Sequence, residues 1–204
     1  MEEALTQTEF DVRLRDHQRW WTRGGGGRQL DLTGRSLAGL QLAGRAVDGV
    51  VLNKVDLAGC DLTGTDLSRT ELIEANLRHA NLATADLYKA NLTGADLTGA
   101  DLTGARLLRA DLTEAVLARA ILDRTDLTRT DFLRTDLRGA KLRNARLDRA
   151  GFDDDQVSGW DATGATGTVL PGSFVIDADG LTDAIDALRQ AGALVRPFVR
   201  KAEP

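Results

Sequence analysis

Residues 75–104 read ANLRHANLATADLYKANLTGADLTGADLTG, and one five-residue word recurs in them without a break: Ala, then Asp or Asn, then Leu, then two freer residues. Outward from this stretch a large apolar residue holds every fifth position from Leu32 to Phe152, 25 copies in all. Two places before each of these centres stands a second restricted residue. It begins irregularly as Leu30, Arg35, Leu40, Arg45, Val50 and Val55, and passes through Cys60, Thr65 and Thr70. It is then alanine from Ala75 to Ala120, threonine at Thr125, Thr130 and Thr135, and alanine again at Ala140, Ala145 and Ala150. An internal repeat of this kind decides the architecture before any other signal does.

A period of five fits neither ordinary element. In an α-helix five residues advance about 500°, so successive leucines form no apolar stripe. In a continuous strand side chains alternate with period two, and an odd repeat sends every second leucine into water. A turn inside each copy removes the conflict. The small residue and the leucine, two apart, point inward together from a short extended piece, and the next two residues turn the corner. Glycine fills the last place of the word at Gly34, Gly39, Gly44, Gly49, Gly59, Gly64, Gly94, Gly99, Gly104 and Gly139, where it tolerates a positive φ. Arg, Lys, Glu or Thr takes that place elsewhere, which predicts more than one turn type.

The word resembles that of the pentapeptide-repeat proteins, over about 125 of the 204 residues. The resemblance implies an all-β solenoid: a right-handed quadrilateral parallel β-helix with four words per coil. The run then makes about six coils at roughly 4.8 Å each. Three parts are expected: an N-terminal helical cap and glycine linker over 1–28, the β-helix over 29–154, and a C-terminal capping or dimerising segment with a small helix over 155–204.

The flanks are read from their own patterns. Thr6 and Glu9 form a capping box, and Phe10, Leu14, His17 and Trp21 follow at helical spacing, predicting a helix from about 8 to 22 that ends at Gly24–Gly27. Its expected task is to cover the first coil, whose strand edges are otherwise open; docking of a partner through Trp20 and Trp21 is the alternative. After Phe152 the word decays in Asp153-Asp154-Asp155. Asp179 is a candidate cap for a helix over about 180–191, with Leu181, Ile185 and Leu188 on one face as cap or dimer contacts. Family resemblance implies end-to-end dimerisation there, and capping of the last coil is the competing expectation.

Composition narrows the function. The chain has a net charge of −5, and hydrophobic residues make up 42% with only 4% aromatic, in keeping with a Leu/Ala core. No run of 18 apolar residues is present and the N-terminus lacks a basic-then-apolar leader pattern, so no membrane association is expected and the cytoplasm is the default location. His17 and His79 neighbour neither a nucleophile nor a ligand set, and Cys60 sits at an inward position. Neither a cofactor nor a metal is expected, and a solvated acidic end of the repeat accounts for Asp153–Asp155.

What remains is the surface. Four-sided stacking places residues 20 apart in one column. Arg69, Lys89, Arg109, Arg129 and Arg149 then form a basic ladder, which Glu71, Asn91, Asp111, Asp131 and Gly151 are expected to neutralise as an interleaved ion-pair surface. The best-understood branch of the family binds type II topoisomerases, chiefly DNA gyrase, by imitating duplex DNA and so inhibits the enzyme or protects it from quinolones. A role of that kind here calls on an acidic surface of Asp56, Asp61, Asp66, Asp86, Asp96 and Asp101. Against it, the repeat carries 19 acidic and 17 basic side chains, a weak field for a DNA mimic. The alternative is a non-enzymatic scaffold that contacts a protein partner, not nucleic acid, through the outward apolar residues Tyr88, Leu108, Val116 and Ile121.

Overall fold

The computed structural model describes residues 5–23, 27–153, 155–169, 174–177 and 180–197. From Asp31 paired with Val51 to Arg146 paired with Thr166, parallel bridges join residues 20 apart, so four words complete one circuit and each circuit lies on the last. Each side of a coil is one short extended piece. Leu32 N–H donates to the Val51 carbonyl at 2.9 Å, and Val51 N–H returns to the Leu30 carbonyl at 3.0 Å. Adjacent coils thereby satisfy each other's backbone, as buried amides require.

From Leu32 to Leu127, and again at Leu137, Leu142 and Leu147, the corners are closed the same way. The residue after the turn donates its N–H back to the leucine carbonyl, as Ala95 does to Leu92 at 2.9 Å. The last place of the word has a positive φ whether or not it is glycine: Gly94 lies at 66°, Lys89 at 57°, Arg109 at 61° and Glu114 at 60°. The expectation of more than one turn type is therefore corrected. One turn with its second central residue in the left-handed region serves throughout, and side chains accept that region because the ladders above and below hold the corner in place.

The core is the stack of inward leucines and alanines. Every centre from Leu67 to Leu147 is fully buried, as are the small residues between Ala75 and Ala150. Burying a leucine is worth about 1.5–3 kcal/mol before the cost of ordering its strand. Threonine enters this core only with its hydroxyl satisfied. Thr65, Thr125, Thr130 and Thr135 donate to the carbonyls of Leu42, Leu102, Leu107 and Leu112 in the coil before, at 2.8–3.1 Å. Phe132 and Phe152, one coil apart, stack at 4.9 Å, and Trp160 meets Phe152 edge-on at 6.2 Å.

Helix α1 (Gln7–Arg23) lies on the first coils. Its capping box forms as the sequence predicts: Thr6 N–H donates to the Glu9 carboxylate at 3.0 Å and Glu9 N–H to the Thr6 hydroxyl at 3.3 Å. Phe10 and Leu14 are buried in the same core as the leucines.

At the other end the ladder continues past the last copy of the word, with Lys141 bridged to Asp161 and Arg146 to Thr166. Strands β1 (Asp131–Leu133) and β2 (Gly151–Asp153) pair in parallel, as do β3 (Asp155–Gln156) and β5 (Phe174–Asp177). Strand β4 (Thr166–Val169) takes β7 (Leu194–Pro197) as its next coil. The helix expected over 180–191 is shorter, α2 (Ala184–Gln190), because β6 (Gly180–Asp183) pairs antiparallel with β5. The apolar, β-branched run Phe174-Val175-Ile176 recruits those four residues into a hairpin. Asp179, the expected cap, lies outside the described residues.

Candidate docking surface

The bridges sort the outward residues into four ladders. Side one runs Val51, Glu71, Asn91, Asp111, Asp131, and side two Asp56, Asn76, Asp96, Val116, Asp136. Side three runs Asp61, Asn81, Asp101, Ile121, Lys141, and side four Asp66, Asp86, Arg106, Asp126, Arg146.

The six acidic candidates therefore fall on three sides, two on each. All six cap their own turns: Asp56, Asp61, Asp66, Asp86, Asp96 and Asp101 accept the N–H two residues on at 2.9–3.2 Å. This Asx geometry explains why Asp or Asn precedes the leucine. Two of the six also hold arginines from other coils, Asp86 with Arg106 and Asp96 with Arg78, both at 2.7 Å. Burial works to raise the Asp96 carboxyl, yet Thr98 and Arg78 hold it below its ordinary value. The Thr63 hydroxyl and N–H lower Asp61 likewise.

The same pairing recurs along the rod. Lys54 meets Glu74 at 3.4 Å, Arg143 meets Asp161 at 2.6 Å, and Arg146 reaches Asp126 at 3.8 Å, while Arg134 pairs with Glu114. Exposed pairs contribute roughly 0–1 kcal/mol each. Their main effect is to make the sides mixed in charge.

The corner between sides four and one departs from this pattern. Arg69, Lys89, Arg109, Arg129 and Arg149 stack there, all exposed. Their expected neutralisation by the neighbouring acidic column does not take place: among the described residues no carboxylate lies within ion-pair distance of Arg69, Lys89, Arg109 or Arg129. In the neighbouring column Asp111 and Asp131 stack on each other. Burial, then the Asp111 charge, pushes the Asp131 carboxyl above its ordinary value. Tyr88 sits beside the ladder with the cations of Arg106, Lys89 and Arg69 at 4.7, 5.3 and 5.6 Å from its ring centre.

The four apolar candidates are all half-buried. Tyr88 and Leu108 share side four one coil apart, whereas Val116 and Ile121 occupy sides two and three across a corner. They make two spots on different parts of the surface. Of the C-terminal candidates, Leu188 is fully buried and Ile185 packs partly against the core, so both are engaged within the chain. Leu181 lies in β6.

One residue with a structural task went unrecognised in the sequence. His17 is fully buried, accepts the Leu30 N–H on Nδ1 at 3.1 Å and donates Nε2–H to the Asp48 carbonyl at 2.8 Å. Both ring nitrogens are spent on the first coil's backbone, and Trp20 and Trp21 pack around the ring at 5.7 and 6.0 Å. Cys60 is free and buried, and burial raises its thiol. Among the described residues no cluster of His, Cys, Asp or Glu could hold a metal ion, and no helix is long and apolar enough to cross a membrane.

Comparison with known proteins agrees with this geometry. Eight copies of the family profile described as pentapeptide repeats match residues 51–87, 70–108 and 110–149. Among solved structures the chain is similar to HetL, a pentapeptide repeat protein involved in heterocyst differentiation regulation from the cyanobacterium Nostoc sp. strain PCC 7120. That likeness has 28% identity, a TM-score of 0.65, and covers 71% of this chain and 69% of HetL. QnrB1, a plasmid-mediated fluoroquinolone resistance protein, matches at 17% identity and a TM-score of 0.40, over 68% of this chain and 84% of its own. No curated protein matches the sequence. The fold is thus a right-handed β-helix solenoid.

Proposed function

The chain belongs to the pentapeptide-repeat proteins, and from that premise we propose that it is a non-enzymatic scaffold whose outer sides bind a regulatory protein partner. The observation that carries this reading is the use made of the acidic residues. Each of the six candidate aspartates caps its own turn, two also hold arginines, and together they spread over three sides. Such a surface is ruled and rigid but mixed in sign. HetL, tied by its description to the regulation of differentiation, supports a regulatory context.

A photo-reactive phenylalanine analogue at Tyr88, Leu108, Val116 or Ile121, introduced in the cells that make the protein, tests the scaffold. Cross-linking to one protein from one of these positions, and not from an inward control such as Leu97, is the expected result. Equal labelling from all positions overturns it.

DNA gyrase is the specific partner that the family resemblance names, and titration into a supercoiling reaction with and without a quinolone tests it. Restored supercoiling under the drug marks a protector, and lost supercoiling without it marks an inhibitor. No effect at about 10 μM, far above a nanomolar Kd, removes gyrase and leaves the scaffold.

A further inference from the structure

The basic corner has a feature that the other three lack. At those corners glycine recurs in the left-handed place, as Gly34 and Gly94, Gly39, Gly59, Gly99 and Gly139, or Gly44, Gly64 and Gly104. At this one, Gly49 is followed by Arg69, Lys89, Arg109, Arg129 and Arg149, with φ between 56° and 61° and no glycine among them. A side chain in that region costs about 1 kcal/mol relative to glycine. Here it is accepted at five successive coils, always by a cation, and four of the five have no carboxylate in reach. Arg69 and Lys89 also face the Tyr88 ring, but among the described residues no ion pair accounts for the run of cations from Arg69 to Arg129.

We propose that this corner is the docking line for an acidic α-helix of a partner protein, laid along the rod with one carboxylate per turn facing it. The proposal rests on the scaffold reading above and supplies the chemistry of the partner. Pitch selects the helix. Coils repeat at about 4.8 Å, so the five cations span about 19 Å. A helical stripe repeats at about 5.4 Å and covers about 22 Å in the same four steps, a drift that long Arg and Lys side chains absorb. An extended peptide presents one face every 6.7 Å or so and runs about 27 Å, out of register by more than a coil. The flanks select a narrow partner. Asp111 and Asp131 lie on one side of the line and Asp86 and Asp126 on the other, so a duplex nucleic acid would be pressed against carboxylates. Beside the line, the half-buried Tyr88 and Leu108 offer the helix an apolar contact.

The test uses labelled alanine-based helical peptides of about 22 residues, one with glutamates on a single stripe and one of equal composition with them scattered. A single-stranded DNA of about 20 nucleotides serves as the competing polyanion. Two charge-reversed proteins are compared with the native chain: Arg109→Glu with Arg129→Glu on the line, and Arg119→Glu with Arg124→Glu at two other corners. Both pairs change net charge equally and occupy the same left-handed place, and circular dichroism confirms the fold of each. At about 50 mM salt the striped peptide is expected to bind the native chain at least about tenfold more tightly than the scattered one, by fluorescence anisotropy, and to weaken as salt rises. The line variant should lose this binding and the control variant keep it. Equal loss in both variants, equal affinity for both peptides, no binding at low salt, or tighter binding of the DNA each overturns the proposal. A partner cross-linked from Tyr88 that the striped peptide fails to displace leaves the scaffold standing and rejects the helix.

Discussion

Between Ala75 and Ala120 the inner residue ahead of every leucine is alanine and fully buried, whereas from Leu30 to Val55 it is Leu, Arg, Leu, Arg, Val and Val, with Arg35 and Arg45 only half-buried. The middle coils each have a coil above and below; the first has none below. Helix α1 stands in for the missing coil, and the irregular residues suit it. Arg45 pairs with Asp11 on the helix, Gln41 N–H donates to the Gln7 side chain at 2.8 Å, and Leu30 N–H finds its acceptor on His17 at 3.1 Å. Where a repeat can stack on itself its word is strict. Where it must meet something else, the word is rewritten by the thing it meets.

Truncating a middle leucine should have the largest effect. Leu97→Ala leaves a cavity with no route to collapse and should cost about 2–5 kcal/mol in chemical denaturation, with the loss felt in both neighbouring coils. At the first coil, His17→Ala strands the buried Leu30 N–H and should cost about 1–3 kcal/mol. Its signature is local: faster amide exchange over residues 30–60 with the middle coils unchanged. Equal acceleration everywhere would show that the two regions melt as one unit and erase the distinction.

Thr130→Val keeps the shape of a middle position but removes a hydroxyl bonded to the Leu107 carbonyl at 2.8 Å, and should cost about 1 kcal/mol. The smallest effects are electrostatic. Asp161 is held at about 2 by the Thr163 hydroxyl and N–H and by Arg143. A depressed carboxyl stabilises the fold above its ordinary value and ceases to do so as pH falls towards about 2, so Asp161→Asn should flatten the acid limb of the melting curve. Asp131 carries the opposite sign. Its raised carboxyl opposes folding at neutral pH and is relieved on protonation, so Asp131→Asn should raise the melting midpoint slightly at pH 7 and leave it unchanged in acid.

The period of five dictates inward leucine and alanine, the interior threonines take their hydroxyl bonds from the same register, and the capping box of α1 was equally plain. Other features depend on what the chain meets beyond its own neighbourhood. The hairpin of β5 and β6 displaced the start of the predicted C-terminal helix because strand pairing outweighs local helical spacing. Nothing around His17 in sequence hints that its ring closes backbone groups 13 and 31 residues away. The basic ladder could be laid out from residues 20 apart, but that Arg69, Lys89, Arg109 and Arg129 form no ion pair among the described residues depends on side-chain placement that spacing does not give.

Because successive circuits are 20 residues long, length changes in this gene act as rotations. Removing one circuit shortens the rod and leaves all columns aligned. Removing a single word leaves an equally sound core but turns everything beyond it by a quarter of a revolution, so that Arg69 and Lys89 would keep their corner while Arg109 and Arg129 moved to the next. The surface pattern of such a protein can thus be reshuffled wholesale by one small deletion that the fold itself barely registers.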